Sequence, residues 1–145
     1  MDSYRQLGER MQELTIQTPQ RETMVDITAQ VQDIVRNQGF QDGMLVLFCP
    51  HTTAGLTINE NADPTVVRDI VTTLRRLIPH QGDFHHTEGN SDAHIKASMM
   101  GSDLRILVEE GRLLLGIWQG IFFTEFDGPR SRKIWLKWFP TAVST

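Results

Sequence analysis

The chain has 145 residues, 39% of them hydrophobic and 22% charged, with a formal charge of −4. That is the composition of one globular domain able to bury roughly 70% of the surface its unfolded form exposes. It holds no apolar run near the roughly 20 residues a membrane helix needs and no basic stripe of the kind nucleic acid selects. A single cysteine rules out an internal disulfide framework. With no secretory h-region after Met1, the expected location is the cytoplasm.

The first ten residues are polar and are expected to form a flexible arm. Leu14–Thr18 alternates apolar and polar residues as a half-buried strand does, and Thr23–Asp26 reads as its return after a turn at Pro19. Thr28 is the expected N-cap of a helix over 28–37, stopped at Gly39. Met44–Phe48 is short and continuously apolar, which predicts a central strand buried on both faces. Leu56–Ile58 is the next short strand. Asp63 and Pro64 supply a cap and a first-turn proline for a helix over 64–78, with Val67, Ile70, Val71, Leu74 and Ile78 on one face. Ser91 is the expected cap of a helix over 92–100 with Ile95 and Met99 facing the core. Leu104–Val108 is a strand, 109–112 a hairpin turn, and Leu113–Phe126 one long returning strand with Gly116 and Gly120 inside it. Ile134–Phe139 ends the pattern. The fold class is α+β, a large, mostly antiparallel sheet with about three helices in a single domain over 1–145.

Chemistry concentrates in three polar stretches, read here as one site. They are His51–Asp63, His85–His94 and Glu125–Arg132. All five histidines fall between positions 51 and 94. Three neutral imidazoles with one open position make a zinc site with Lewis-acid or hydrolytic capacity. His51, His86 and His94 are the candidate ligands. Glu60 and Asp92 are placed to orient the rings or act as general base, and His51 and His94 are candidate acid–base groups. Arg130 and Arg132 lie at a strand end, where a guanidinium fork suits phosphate. The simpler reading, in which Arg130 pairs with Glu125 or Asp127 and only fixes the turn, stands beside it. Cys49 precedes Pro50 and His51, but a lone cysteine there packs more readily than it reacts.

The stretches His51-Thr-Thr-Ala-Gly-Leu-Thr-Ile-Asn-Glu-Asn61, Glu88-Gly-Asn-Ser-Asp-Ala-His-Ile-Lys-Ala-Ser98, Gly116-Ile-Trp-Gln-Gly120 and Glu125-Phe-Asp-Gly-Pro-Arg130 resemble the YjbQ-like family. That family carries the label secondary thiamine-phosphate synthase. The resemblance runs from about Met11 to Phe139 and implies an α+β fold, a homotrimer and a polar histidine pocket. His86 matches the histidine of the middle motif, and Phe84 stands where the family often has tyrosine. The functions implied are three. One is a transferase acting on a phosphorylated metabolite, with weak thiamine-phosphate synthase activity. The others are a trimer that binds a metal or small anion without turnover, and a zinc-dependent hydrolase. The expected cofactor is a divalent metal, zinc, or magnesium where the substrate is a diphosphate. Asn61, Asn90, Arg130 and Arg132 are the residues expected to hold the substrate anion, with no nucleic-acid or membrane partner.

Overall fold

A computed structural model describes residues 11–142. The expected arm over 1–10 lies outside them. Eight strands and three helices follow in order. They are β1 (Gln12–Gln17), β2 (Thr23–Asp26), α1 (Thr28–Gln38), β3 (Gly43–Phe48), β4 (Ala54–Glu60), α2 (Pro64–Leu77), α3 (Ser91–Met100), β5 (Asp103–Glu109), β6 (Arg112–Leu113), β7 (Gln119–Glu125) and β8 (Ser131–Pro140). The class is α+β, and the antiparallel pairing is divided between two sheets. One has the order β1-β8-β3-β5-β6 and the other β2-β7-β4.

The division follows from side-chain parity. On β8, Arg132, Ile134, Leu136 and Trp138 are buried and the residues between them exposed. On β3, Leu45 and Leu47 are buried while Phe48 is exposed, so this central strand has one buried face rather than two. Those inward side chains meet Leu56, Ile121 and Phe123 of the small sheet, and Ile27, Val31 and Val35 close the same core. The small sheet is the layer covered on both sides. Its outer side takes α2 and α3, where Ala93, Ala97 and Phe126 form a second core with Leu74 and Met100 against them. β7 is accordingly buried on both faces from Gly120 to Glu125.

Several boundaries differ from expectation for local reasons. Ile27 is the N-cap of α1 and Thr28 its first helical residue; Asp26, one position earlier, accepts through Oδ1 from the Thr28 amide at 3.0 Å and hydroxyl at 2.6 Å. Gly39 ends α1 at φ 68°, the left-handed conformation glycine adopts without cost. The expected long strand 113–126 is broken. β6 is two residues long, and between β6 and β7 the chain turns where Gln119 Oε1 accepts from the Gly116 amide at 2.7 Å. The hairpin at 109–112 forms as expected, with Glu110 and Gly111 both at positive φ.

The face of α3 is the opposite of the one expected. Ile95 and Met99 are exposed, while Asp92, Ala93, Lys96 and Ala97 are buried. The buried charges decide the orientation. Lys96 Nζ lies 2.9 Å from Asp92 one helical turn away and 3.4 Å from Glu22. Arg21 grips both oxygens of Asp92 at 3.0 and 3.1 Å. An apolar face for α3 would leave these charges without partners. Asn90 rather than Ser91 is the N-cap, and no side chain closes that end.

Candidate functional site

His51 follows the β3 strand end. Its Nε2 lies 3.0 Å from both the amide nitrogen and the carbonyl oxygen of Lys133 at the start of β8. Burial, with the Arg132 guanidinium next in effect, pushes its pKa down against the pull of the Lys133 carbonyl, so the ring is neutral near pH 7. The peptide of Lys133 engages Nε2 and leaves Nδ1 as the nitrogen for other work.

His94 sits in the first turn of α3, and its ring meets that of His86 edge to face with centroids 5.4 Å apart. His86 Nε2 is 3.6 Å from the Glu88 carboxylate. Two cavities of about 370 Å³ adjoin through His94. One is lined by Phe84, His85, His86, Ser91 and Ile95 besides His94. The other is lined by His51, Thr52, Ser98 and Ser102. The seat of α3 depends on Gly55: a Cβ there would stand 2.6 Å from the Gly101 carbonyl and 3.0 Å from Met100 Cβ. The Leu56 amide uses that approach to donate to Gly101 O at 3.1 Å.

Several of the remaining candidates fall elsewhere. Among the described residues no three His, Cys, Asp or Glu side chains are grouped to hold a metal ion, so His51, His86 and His94 do not form the expected ligand set within the chain. Asp92 is fully buried and committed to Arg21 and Lys96, which removes it as a base. Burial pushes its pKa up, but the hydrogen bonds from Arg21 and Lys96 win and hold it low. Arg132 is 5% exposed and not available to a substrate. Its Nε and Nη2 grip Glu125 at 2.9 and 2.5 Å and its Nη2 reaches Thr53 Oγ1 at 2.8 Å. Arg130 bonds Asp127 through its backbone oxygen at 2.7 Å and its carboxylate at 3.0 Å, the turn-fixing alternative. Asn90 donates to Asp127 at 2.9 Å, and its Oδ1 is buried without a protein partner.

Glu60 and Asn61 are separated from the histidines by the length of β4, roughly 20 Å at about 3.4 Å per residue. At that far end Asn61 bonds Asp26 at 3.1 Å and the Trp118 carbonyl at 3.0 Å. The far end of the first stretch thus lies outside the site, while its His51–Thr53 end meets the other two: His51 and Thr52 share a cavity with His94, Thr53 bonds Arg132, and Asn90 bonds Asp127. Residues the sequence reading passed over include Lys96, Arg21 and Glu22, and Thr18 and Thr53 beside the Glu125–Arg132 pair. Lys96 is one helical turn from Asp92, and Arg132 shares strand parity with Ile134, Leu136 and Trp138. Both patterns are visible in the sequence.

The model of the UPF0047 protein YjbQ-like family matches residues 12–141. UPF0047 protein MJ1081 of Methanocaldococcus jannaschii is 52% identical over 122 residues, covering 84% of this chain and 88% of that one. UPF0047 protein YugU of Bacillus subtilis is 46% identical, covering 86% and 95%. Among solved structures, a yjbq/upf0047 family protein from Clostridium acetobutylicum has TM-score 0.85 at 56% identity, covering 88% of this chain and 98% of its own. A conserved hypothetical protein from Thermus thermophilus has TM-score 0.83 at 44% identity, covering 88% and 98%.

Proposed function

The chain belongs to the YjbQ-like UPF0047 family, and on that premise we propose that it binds a small anionic metabolite between α3 and the His51 strand end and performs acid–base chemistry on it. The observation that carries this reading is His94, a residue that lines two cavities and whose imidazole meets a second imidazole backed by a carboxylate. In this reading His94 moves the proton. His86 and Glu88 set its hydrogen-bonding state, and the hydroxyls of Thr52, Ser98 and Ser102 hold the substrate. His51, neutral and fixed by the Lys133 peptide, positions rather than reacts.

No step is routed through zinc or magnesium, because the candidate ligands do not converge. Thiamine-phosphate synthesis must neutralise a departing diphosphate. Arg132 is locked on Glu125 and only Arg130 remains half-exposed, so one phosphate is better matched than two. The open N-terminus of α3 supports the same preference. A homotrimer belongs to this proposal as well, supported by the exposed apolar side chains Phe48, Leu107, Ile117 and Trp118.

The test is a turnover and calorimetry screen with mono- and diphosphorylated metabolites, including the two substrates of thiamine-phosphate synthesis. Turnover is expected to fall about 100-fold or more in His94→Ala and to be unchanged in Arg36→Ala, on the exposed side of α1. Binding without turnover of any substrate would favour the sequestering protein. Equal turnover in His94→Ala and the native chain would remove His94 from the chemistry.

A further inference from the structure

Three cations and two carboxylates gather where the residues before β2 meet the buried side of α3 and the last turn of α2. Arg21 lies 2.8 Å from Glu22 and holds both oxygens of Asp92 at 3.0 and 3.1 Å. Lys96 lies 2.9 Å from Asp92 and 3.4 Å from Glu22. Arg75 on α2 reaches Glu22 through Nε at 3.3 Å. Among the described residues this group has one positive charge over. Asp127 also acts on Arg21, but it is paired with Arg130 at 3.0 Å, and that pair leaves the balance unchanged.

The surplus comes to the surface at one place. Lys96 and Asp92 are fully buried and Glu22 nearly so, whereas the Arg21 and Arg75 side chains are 29% and 55% exposed. Both arginines line a recess of about 330 Å³ with Gln20, Glu22 and His80. His80 is fixed as one wall, its Nε2 2.7 Å from the Gly89 carbonyl. Glu22 takes one of the five N–H donors that the Arg75 guanidinium carries, and Arg21 is held by two carboxylates. Much of the cost of ordering these forks is therefore met before a ligand arrives. The negative pole at the end of α2 opposes an anion here with about half a unit of charge, less than the surplus of one.

We propose that this recess is a second anion site, built for a phosphate group, either free or at the end of a small metabolite. A carboxylate offers two oxygens and a phosphate three, and two guanidinium forks with the Gln20 amide carry donors for all three. The recess is distinct from the His94 cavities and has no lining residue in common with them. Asp92 and Lys96 stand two positions either side of His94, which at 3.6 residues per turn directs them to the opposite side of α3.

The test follows the Nε–H resonances of Arg21 and Arg75 by NMR. Inorganic phosphate or glycerol 3-phosphate replaces chloride at constant ionic strength, so that simple screening does not change. Both resonances are expected to move saturably with one midpoint. His94→Ala should leave that midpoint unchanged, which separates this site from the acid–base reading. Arg76→Ala, next along α2 and outside the lining, should leave it unchanged too. Arg75→Ala removes one half-exposed ion pair and should keep the native circular dichroism. In that variant the Arg21 midpoint should rise about 10-fold or more. A lower midpoint for glycerol 3-phosphate supports a metabolite ester as the occupant, and an equal or higher one supports free phosphate. Absence of a saturable shift or an unchanged midpoint in Arg75→Ala would overturn the proposal. So would an equal weakening in Arg76→Ala, or a raised midpoint in His94→Ala, which would move the phosphate to the His94 cavities.

Discussion

The two helices on the outer side of the small sheet make opposite use of their sequences. α2 has every local signal of a helix: an Asp63 side chain accepting from the Thr65 amide at 2.9 Å, a proline in the first turn and apolar residues on one face. It nevertheless buries no residue fully. α3 has no side-chain cap and little one-sidedness, yet four of its residues are buried, two of them charged. Local propensity makes a helix, but partners decide how deeply it is set. α2 is fastened by half of an apolar face, and α3 by ion pairs whose members are separated by more than seventy positions in sequence.

The largest effect that would sharpen this contrast comes from Lys96→Ala. It strips a fully buried cation from Asp92 and Glu22 and should cost about 3–5 kcal/mol in urea denaturation. A loss no larger than that of an α2 core truncation would erase the difference between the helices.

Acid should reveal the same anchoring. For Asp92 and Glu125 burial acts upwards, but Arg21 with Lys96, and Arg132 with Thr18, prevail and hold both carboxyls below their ordinary 3.8 and 4.5. The folded chain therefore binds fewer protons than the unfolded one. This stability is fully present above those values and is lost as pH falls below about 4.5 towards the lower folded values. Tm measured against pH should decline in that window, and Asp92→Asn should flatten the decline. A flat native profile down to pH 3 would contradict it.

Gly55→Ala comes next. Its methyl would press on the Gly101 carbonyl and unseat α3 from β4, at about 1–3 kcal/mol. Ligand affinity should weaken with it, because His94 moves with the helix. On α2, Leu74→Ala removes a half-buried side chain and should cost about 1–2 kcal/mol, less than full burial would imply. Asp63→Ala should be smallest of all, detectable as faster amide exchange over the first turn of α2 with little change in the global midpoint.

What the sequence disclosed tracks the range of the interactions involved. β8 could be read from its alternation, and α2 from its cap and stripe, because those patterns are local. The burial of Arg132 was available from the same alternation, since it shares parity with Ile134 and Leu136, but a charged residue at a strand end invites a substrate role. The orientation of α3 was not available from Ile95 and Met99, because Arg21 and Glu22 on a distant segment fix it. The joining of His86 to His94 lay within reach of a single loop and helix start. The engagement of His51 by Lys133 did not, since it depends on strand pairing across 82 positions. The stretch His51–Asp63 looked like one polar motif only because sequence proximity ignores that an extended strand carries its two ends apart.

His94 as a wall common to two cavities has a thermodynamic consequence. A molecule in the Phe84–His86 cavity and one in the Thr52–Ser102 cavity would both lie against His94. If each prefers a different rotamer or proton position of that ring, the two ligands oppose one another; if they prefer the same one, each assists the other. Linkage requires the factor by which the first alters the affinity of the second to equal the factor in the reverse direction. One side chain can therefore make two recesses behave as a cooperative pair without any movement of the backbone.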